Sequence, residues 1–157
     1  MLLEINDNKP VAALQSKFSA CFPYLKIEFY SKAHHWQSAS DEKYLVLPQT
    51  LVGSIRNKQA AGLFDIKSYH KTGQVEKNFK QKWGLHVQIF RLQDNSWVQS
   101  TGTDDLTLHE QMELAKGFIH KQAETESSGE DEGEGYVLAY FNGAAHLVGQ
   151  GNRELML

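Results

Sequence analysis

The chain has 157 residues, 41% of them hydrophobic, and a formal net charge of −3. That size suits one domain with a real core, whereas two units of about 60 residues would each be marginal alone. Cys21 is the only cysteine, which excludes an internal disulfide and a cysteine-built metal cage, and no stretch approaches the roughly 20 apolar residues that span a bilayer.

In chain order, a short apolar strand is predicted over Leu2–Asn6. Val11, Leu14, Phe18 and Phe22 then recur at helical spacing, with Asn8 as a cap and Pro10 in the opening turn. The helix stops near Pro23. Leu25, Ile27 and Phe29 alternate with Lys26, Glu28 and Tyr30, the period of a half-buried strand. A polar turn at Ser31–His35 leads to a short strand around Trp36, and Pro48 opens a second helix over Thr50–Asn57, weakened by Gly53.

The same succession then recurs. A strand over Leu63–Lys67 is followed by the helical stripe Val75, Phe79 and Trp83, capped by Thr72 and ended at Gly84. Leu85, Val87 and Ile89 alternate with polar neighbours, and Gln93–Ser96 turns into a strand around Trp97. Thr107 and Glu110 have the spacing of a capping box for a helix ending near Gly117. Ile5 matches Ile66, Leu14 matches Val75, Phe18 matches Phe79 and Phe22 matches Trp83, all 61 positions apart. Ile27 and Phe29 match Val87 and Ile89 at 60. The offset returns to 61 for Trp36 with Trp97, Leu45 with Leu106, Leu47 with Leu108 and Leu51 with Met112.

A repeat of this kind speaks of architecture, because each copy forms the same supersecondary unit. The expected fold is α+β, two βαββα units with helices packed on a mainly antiparallel sheet. The body spans 1–122, divided at about 61/62. An acidic linker covers 123–135, where ETESSGEDEGE holds no apolar residue. A C-terminal apolar segment, 136–157, contains YVLAYF and is too apolar for a free tail. The body carries 15 Lys/Arg and 12 Asp/Glu, or +3, and everything from Ala123 onward has 7 acids and Arg153 alone, or −6. Those opposite signs invite a weak attraction between tail and body.

The chemistry-bearing residues form no recognisable motif. His34 and His35 are adjacent and so face opposite ways on a strand, and no histidine pair has a metal-binding spacing. Cys21 reads as core or helix-end packing. The run KNFKQKW (77–83) reads as a solvated helix face with Phe79 and Trp83 turned inward, and +3 is too modest a charge for nucleic-acid binding. Asp104–Asp105 and Asp41–Glu42 precede helices whose positive ends they suit. No catalytic residue, metal site or cofactor site is assigned.

The phrases FSACFPYLKIEFY and VEKNFKQKWGLHVQIFR resemble a family of small, mostly uncharacterised bacterial proteins with two βαββα-type halves. The similarity covers roughly 1–117 and leaves out the tail. It implies a bacterial cytosolic protein with the duplicated fold, and attaches no activity. The opening MLLEINDNKP lacks the basic and long apolar regions of a secretory signal, which also points to the cytoplasm and away from a membrane.

Two readings of function follow. The first is a non-enzymatic binding or regulatory module with a protein partner, or self-association, through a sheet edge or the tail. Its candidate contacts are Trp36, Trp97, Tyr136, Val137, Leu138, Tyr140 and Phe141. The second is a small-molecule-binding protein or enzyme with a cleft between the repeats, built around His86, His109, Asp104 and Asp105.

Overall fold

The computed structural model describes the backbone of residues 1–33, 39–56, 61–127, 136–141, 144–149 and 153–156, and side-chain surroundings as far as residue 117. The chain is α+β, with β1 (Leu2–Ile5), α1 (Val11–Cys21), β2 (Leu25–Tyr30), β3 (Gly62–Asp65), α2 (Thr72–Trp83), β4 (His86–Gln93), β5 (Ser96–Gln99), α3 (Leu108–Ser127) and three further strands, β6 (Tyr136–Phe141), β7 (Ala144–Gly149) and β8 (Arg153–Met156). All pairing between named strands is antiparallel. β1 pairs with β3, β2–β4–β5 form a second sheet, and β6–β7–β8 form a third. Among the described residues no helix is long and apolar enough to cross a membrane.

The alternation of apolar residues dictates which faces are covered. Leu25, Ile27 and Phe29 of β2 face Arg91, Ile89 and Val87 of β4 across the ladder. Their aliphatic and aromatic members join Leu3, Ile5 and Phe64 of the β1–β3 ribbon and the stripes of α1 and α2 in one core. Phe79 lies between ribbon and sheet, its ring centroid 4.8 Å from Phe64 and 6.1 Å from Phe29. One core serves both halves, as burial of so small a unit requires.

The turns follow local chemistry. Asp94 and Asn95 both take positive φ (49° and 62°), which lets two residues close the β4–β5 hairpin in line with strand twist. Gly84 caps α2 at φ 63°, its N–H bonded to the carbonyls of Lys80 and Phe79. Replacing Gly84 by alanine is expected to cost about 1 kcal/mol, read as a shift in urea midpoint at unchanged m. The capping box is formed: Thr107 N–H donates to Glu110 Oε1 at 3.0 Å and Glu110 N–H to Thr107 Oγ1 at 3.1 Å. Thr107→Ala should cost about 1 kcal/mol by the same measurement.

Four backbone hydrogen bonds between helix and strap have counterparts later in the chain. In the first half, Val11 N–H bonds Thr50 O, Ala12 bonds Pro48, Val52 bonds Lys9 and Gly53 bonds Asp7. In the second, Thr72 bonds Leu106, Gly73 bonds Asp104, Leu108 bonds His70 and His109 bonds Ser68. The helix side of each bond shifts by 61 positions, the strap side by 56. Val52 and Leu108, both fully buried, therefore hold matching places, which corrects the sequence pairing of Leu51 with Met112.

Three further expectations change. The second helix of the first half is a single 3-10 turn, Val52–Ser54. Gly53 sits so near Asp7 that a Cβ there would lie 2.7 Å from the Asp7 Cβ, so close packing explains that glycine. Leu45 makes an isolated antiparallel bridge to Tyr30 at the end of β2, and Trp36, where a short strand was expected, lies outside the described residues. α3 does not stop at Gly117 but runs to Ser127, into the stretch expected as linker. The caps also differ: Pro10 and Lys71 occupy the positions before α1 and α2, not Asn8 and Thr72.

Candidate functional site

α2 presents two faces. Val75, Phe79 and Trp83 enter the core, while Gly73, Glu76, Lys77, Lys80 and Gln81 recur at the same helical spacing on another side. That second stripe lines a cavity of about 240 Å³, completed by Ala33 after β2, His86 and Val87 of β4, and Asp104 of the loop before α3.

Two acids meet at its wall. Glu76 and Asp104 are both buried, and a side-chain hydrogen bond joins their carboxyl groups. Burial, then the charge of Asp104 and that bond, hold the Glu76 carboxyl well above its ordinary value of 4.5, against an opposing hydrogen bond from the Ile89 backbone. A hydrogen bond between two carboxyls needs the protonated form of one, and burial favours that form at Glu76. Carboxyls raised in this way by burial and a close acid are associated with functional sites.

The loop carrying Asp104 is fixed from below. Thr103 Oγ1 donates to Ser100 O at 2.8 Å, and Gly73 N–H to Asp104 O at 2.9 Å. Gln111 of α3, fully buried, donates through Nε2 to Thr103 O (2.9 Å), Thr103 Oγ1 (3.0 Å) and Thr72 Oγ1 (3.3 Å). Its Oε1 accepts from Arg91 Nη1. Arg91 is itself buried, and that burial pulls the guanidinium below its usual value.

The two halves differ most here. By the backbone matching above, Glu76 corresponds to Gln15 and Asp104 to Pro48. Gln15 Nε2 donates to Ile27 O and to Glu28 Oε2, both at 3.0 Å. The same place in the first half is thus filled without an acid pair.

Ionisation of Glu76 gives a pH prediction. The native carboxyl holds its proton above the unfolded value of 4.5, so the folded state binds more protons than the unfolded one from there upward. Its contribution is fully present below pH 4.5 and is lost as pH rises through the native value. Glu76→Gln mimics the protonated form, since its amide N–H donates to Asp104. The variant should be more stable than wild type by about 1–3 kcal/mol at pH 8 and nearly equal at pH 4, in urea unfolding at both pH values. The lowered values of Glu4 and Glu110 lie on the other side of 4.5 and leave this window undisturbed. A variant that follows the wild-type pH curve would remove the acid pair as its cause.

Comparison with protein-family models, curated proteins and solved structures found no match to this chain.

Of the four residues expected in a cleft, the structure brings His86 and Asp104 to the cavity. Asp105 and His109 are exposed and do not line it. Asp104 has Glu76 as a close partner. Trp97 stands half-buried opposite Leu92, and Lys26 Nζ sits 5.0 Å from its ring and 5.1 Å from that of Phe90. Tyr136, Val137, Leu138, Tyr140 and Phe141 are placed by backbone only, in β6, which pairs with β7 and not with a strand of the body. Cys21 is exposed at the end of α1, away from the core. Among the described residues no group of three His, Cys, Asp or Glu side chains could hold a metal ion. Sequence reasoning missed Glu76; its signal was an acid among lysines, one turn from the buried stripe.

Proposed function

We propose that the protein is a small-molecule-binding module whose site is the acid-lined cavity of the second half. One observation carries this reading: a buried acid pair stands at the wall of a 240 Å³ cavity, where the matching place in the first half holds Gln15 and Pro48. Placing two carboxyls together out of water costs several kcal/mol, and an amide or apolar residue would serve structure alone better. A ligand that uses the pair explains why it is there. Ala33→Trp, which fills the mouth, tests this against a fragment library screened by shifts of the Gly73 and Ile89 amides. Fragments that move those amides in wild type and not in the variant support the reading; a library that moves neither in wild type sinks it.

A second reading, contact with another protein, draws on three leucines left in water along one strap: Leu45, Leu47 and Leu51 are 42%, 61% and 48% exposed. It keeps Trp97 and the β6 residues as contacts. If sedimentation of Leu47→Asp matches wild type at every concentration, self-association through this strap is excluded. The four hydrogen bonds that recur in the two halves support descent of both from one duplicated unit. Membership among the small bacterial cytoplasmic proteins the sequence resembles belongs to the same proposal.

A further inference from the structure

The cavity is lined by groups of both charge signs. At its wall stand the buried, paired carboxyl groups of Glu76 and Asp104. On its rim Lys77 and Lys80 are exposed, three residues apart on α2 and so on neighbouring turns. Ala33, Gly73 and Val87, which also line it, offer no charge.

Resting on the binding role above, we propose that this cavity takes a small zwitterion, its ammonium seated between the carboxyl groups of Glu76 and Asp104 and its anionic end at Lys77 and Lys80. The exchange is balanced: one ammonium enters with its proton, and one carboxyl proton leaves to solvent. The net charge of the buried set is unchanged, so the ligand gains attraction to two carboxylates without adding an uncompensated charge. An anion at the pair would meet its like. A neutral hydroxyl would gain one hydrogen bond only.

Glu76 and Lys80 are four residues apart, an axial rise of about 6 Å between their backbone positions, so a four-carbon amino acid with its groups at opposite ends is the first length to test. The ionisable groups lining the seat are Glu76, Lys77 and Lys80 of α2, His86 of β4 and Asp104 of the loop, and Tyr30 of β2 is near enough that ionising Glu76 would raise its phenol. Of these, only the shared carboxyl proton lies where an arriving ammonium replaces it.

The test uses the full ¹⁵N-labelled chain at pH 7 with 4-aminobutyrate, butylamine, butyrate and butanol, reading the Gly73 and Ile89 amides and proton release into weak buffer. 4-Aminobutyrate should bind best and release up to one proton per molecule bound. Butylamine should be about three- to fivefold weaker, and butyrate and butanol weaker again by about tenfold. Glu76→Gln and Asp104→Asn should each weaken butylamine about tenfold and abolish proton release, while Lys80→Gln should bring 4-aminobutyrate down towards butylamine. If butanol or butyrate matches butylamine, the zwitterion is wrong and cavity binding stands. Amine binding without proton release, or untouched by both carboxyl variants, overturns the seat. If no compound moves either amide, this inference fails, and the fragment screen decides the cavity itself. Should one carboxyl variant fail to fold, the other and the wild-type proton count decide.

Discussion

Phe79→Ala should lower the free energy of unfolding by about 3–5 kcal/mol, the largest loss expected from any single side chain, and should do so within one transition. The ring is fully buried, tilted edge-on at 69° to Phe64 of β3 and 80° to Phe29 of β2. Trp83 lies 6.5 Å away on the same helix and stacks on Phe64 at 4.7 Å. Truncation therefore opens a hole between the β1–β3 ribbon and the β2–β4 sheet, and no single element can collapse to fill it. The ribbon joins one strand from each half, so loosening it loosens both. Urea unfolding followed by tryptophan fluorescence and by far-ultraviolet circular dichroism reads the effect. Coincident curves with a reduced midpoint fit one shared core. Two separated transitions, one per half, would show that the halves stand independently and that Phe79 does not couple them.

Much of this core was legible in the chain. Val11, Leu14 and Phe18 in one stripe and Val75, Phe79 and Trp83 in the other announce two helices by period alone, and the alternation from Leu25 to Tyr30 announces a strand. Thr107 with Glu110, and Gly84 after Trp83, name their caps through chemistry that acts within four residues. Where the outcome depended on partners distant in sequence, the reading failed. Leu51, Leu47 and Leu45 look like the repeat of Met112, Leu108 and Leu106, but the backbone matches Val52 with Leu108, because the strap before the 3-10 turn is five residues out of step with its counterpart. Nothing in the hydrophobic spacing records that slip.

The candidate site was partly legible for the same reason. His86 and Asp104 could be named as reactive groups, yet periodicity could not say that they meet, and Asp105 and His109 looked equally eligible. Glu76 was passed over because an acid beside Lys77 and Lys80 reads as one more member of a solvated face. Its role appears only when the loop from Ser100 to Leu106 folds back on α2 and brings Asp104 against it. Burial of that carboxyl is a tertiary fact with no local signal.

The loop is held in place by Gln111, and Gln111→Leu is expected to cost about 2–4 kcal/mol. Leucine nearly preserves the volume, so the loss reports hydrogen bonds more than packing. It removes the acceptor of Arg91 Nη1 and the donors to Thr103 O, Thr103 Oγ1 and Thr72 Oγ1. The guanidinium then keeps only its 2.9 Å bond to Gln93, and its Nε already has no partner among the described residues. A buried cation deprived of an acceptor is a costly thing to leave behind. Gln111→Glu separates the two contributions, because it restores an acceptor for Arg91 and withholds the donors for Thr103. It should fall between wild type and the leucine variant at pH 7. The Gly73 amide, which bonds the Asp104 carbonyl, supplies the second readout: its hydrogen exchange should quicken in both variants as the loop loosens. A leucine variant within about 0.5 kcal/mol of wild type, with Gly73 still protected, would mean that the loop holds its acid against Glu76 without α3.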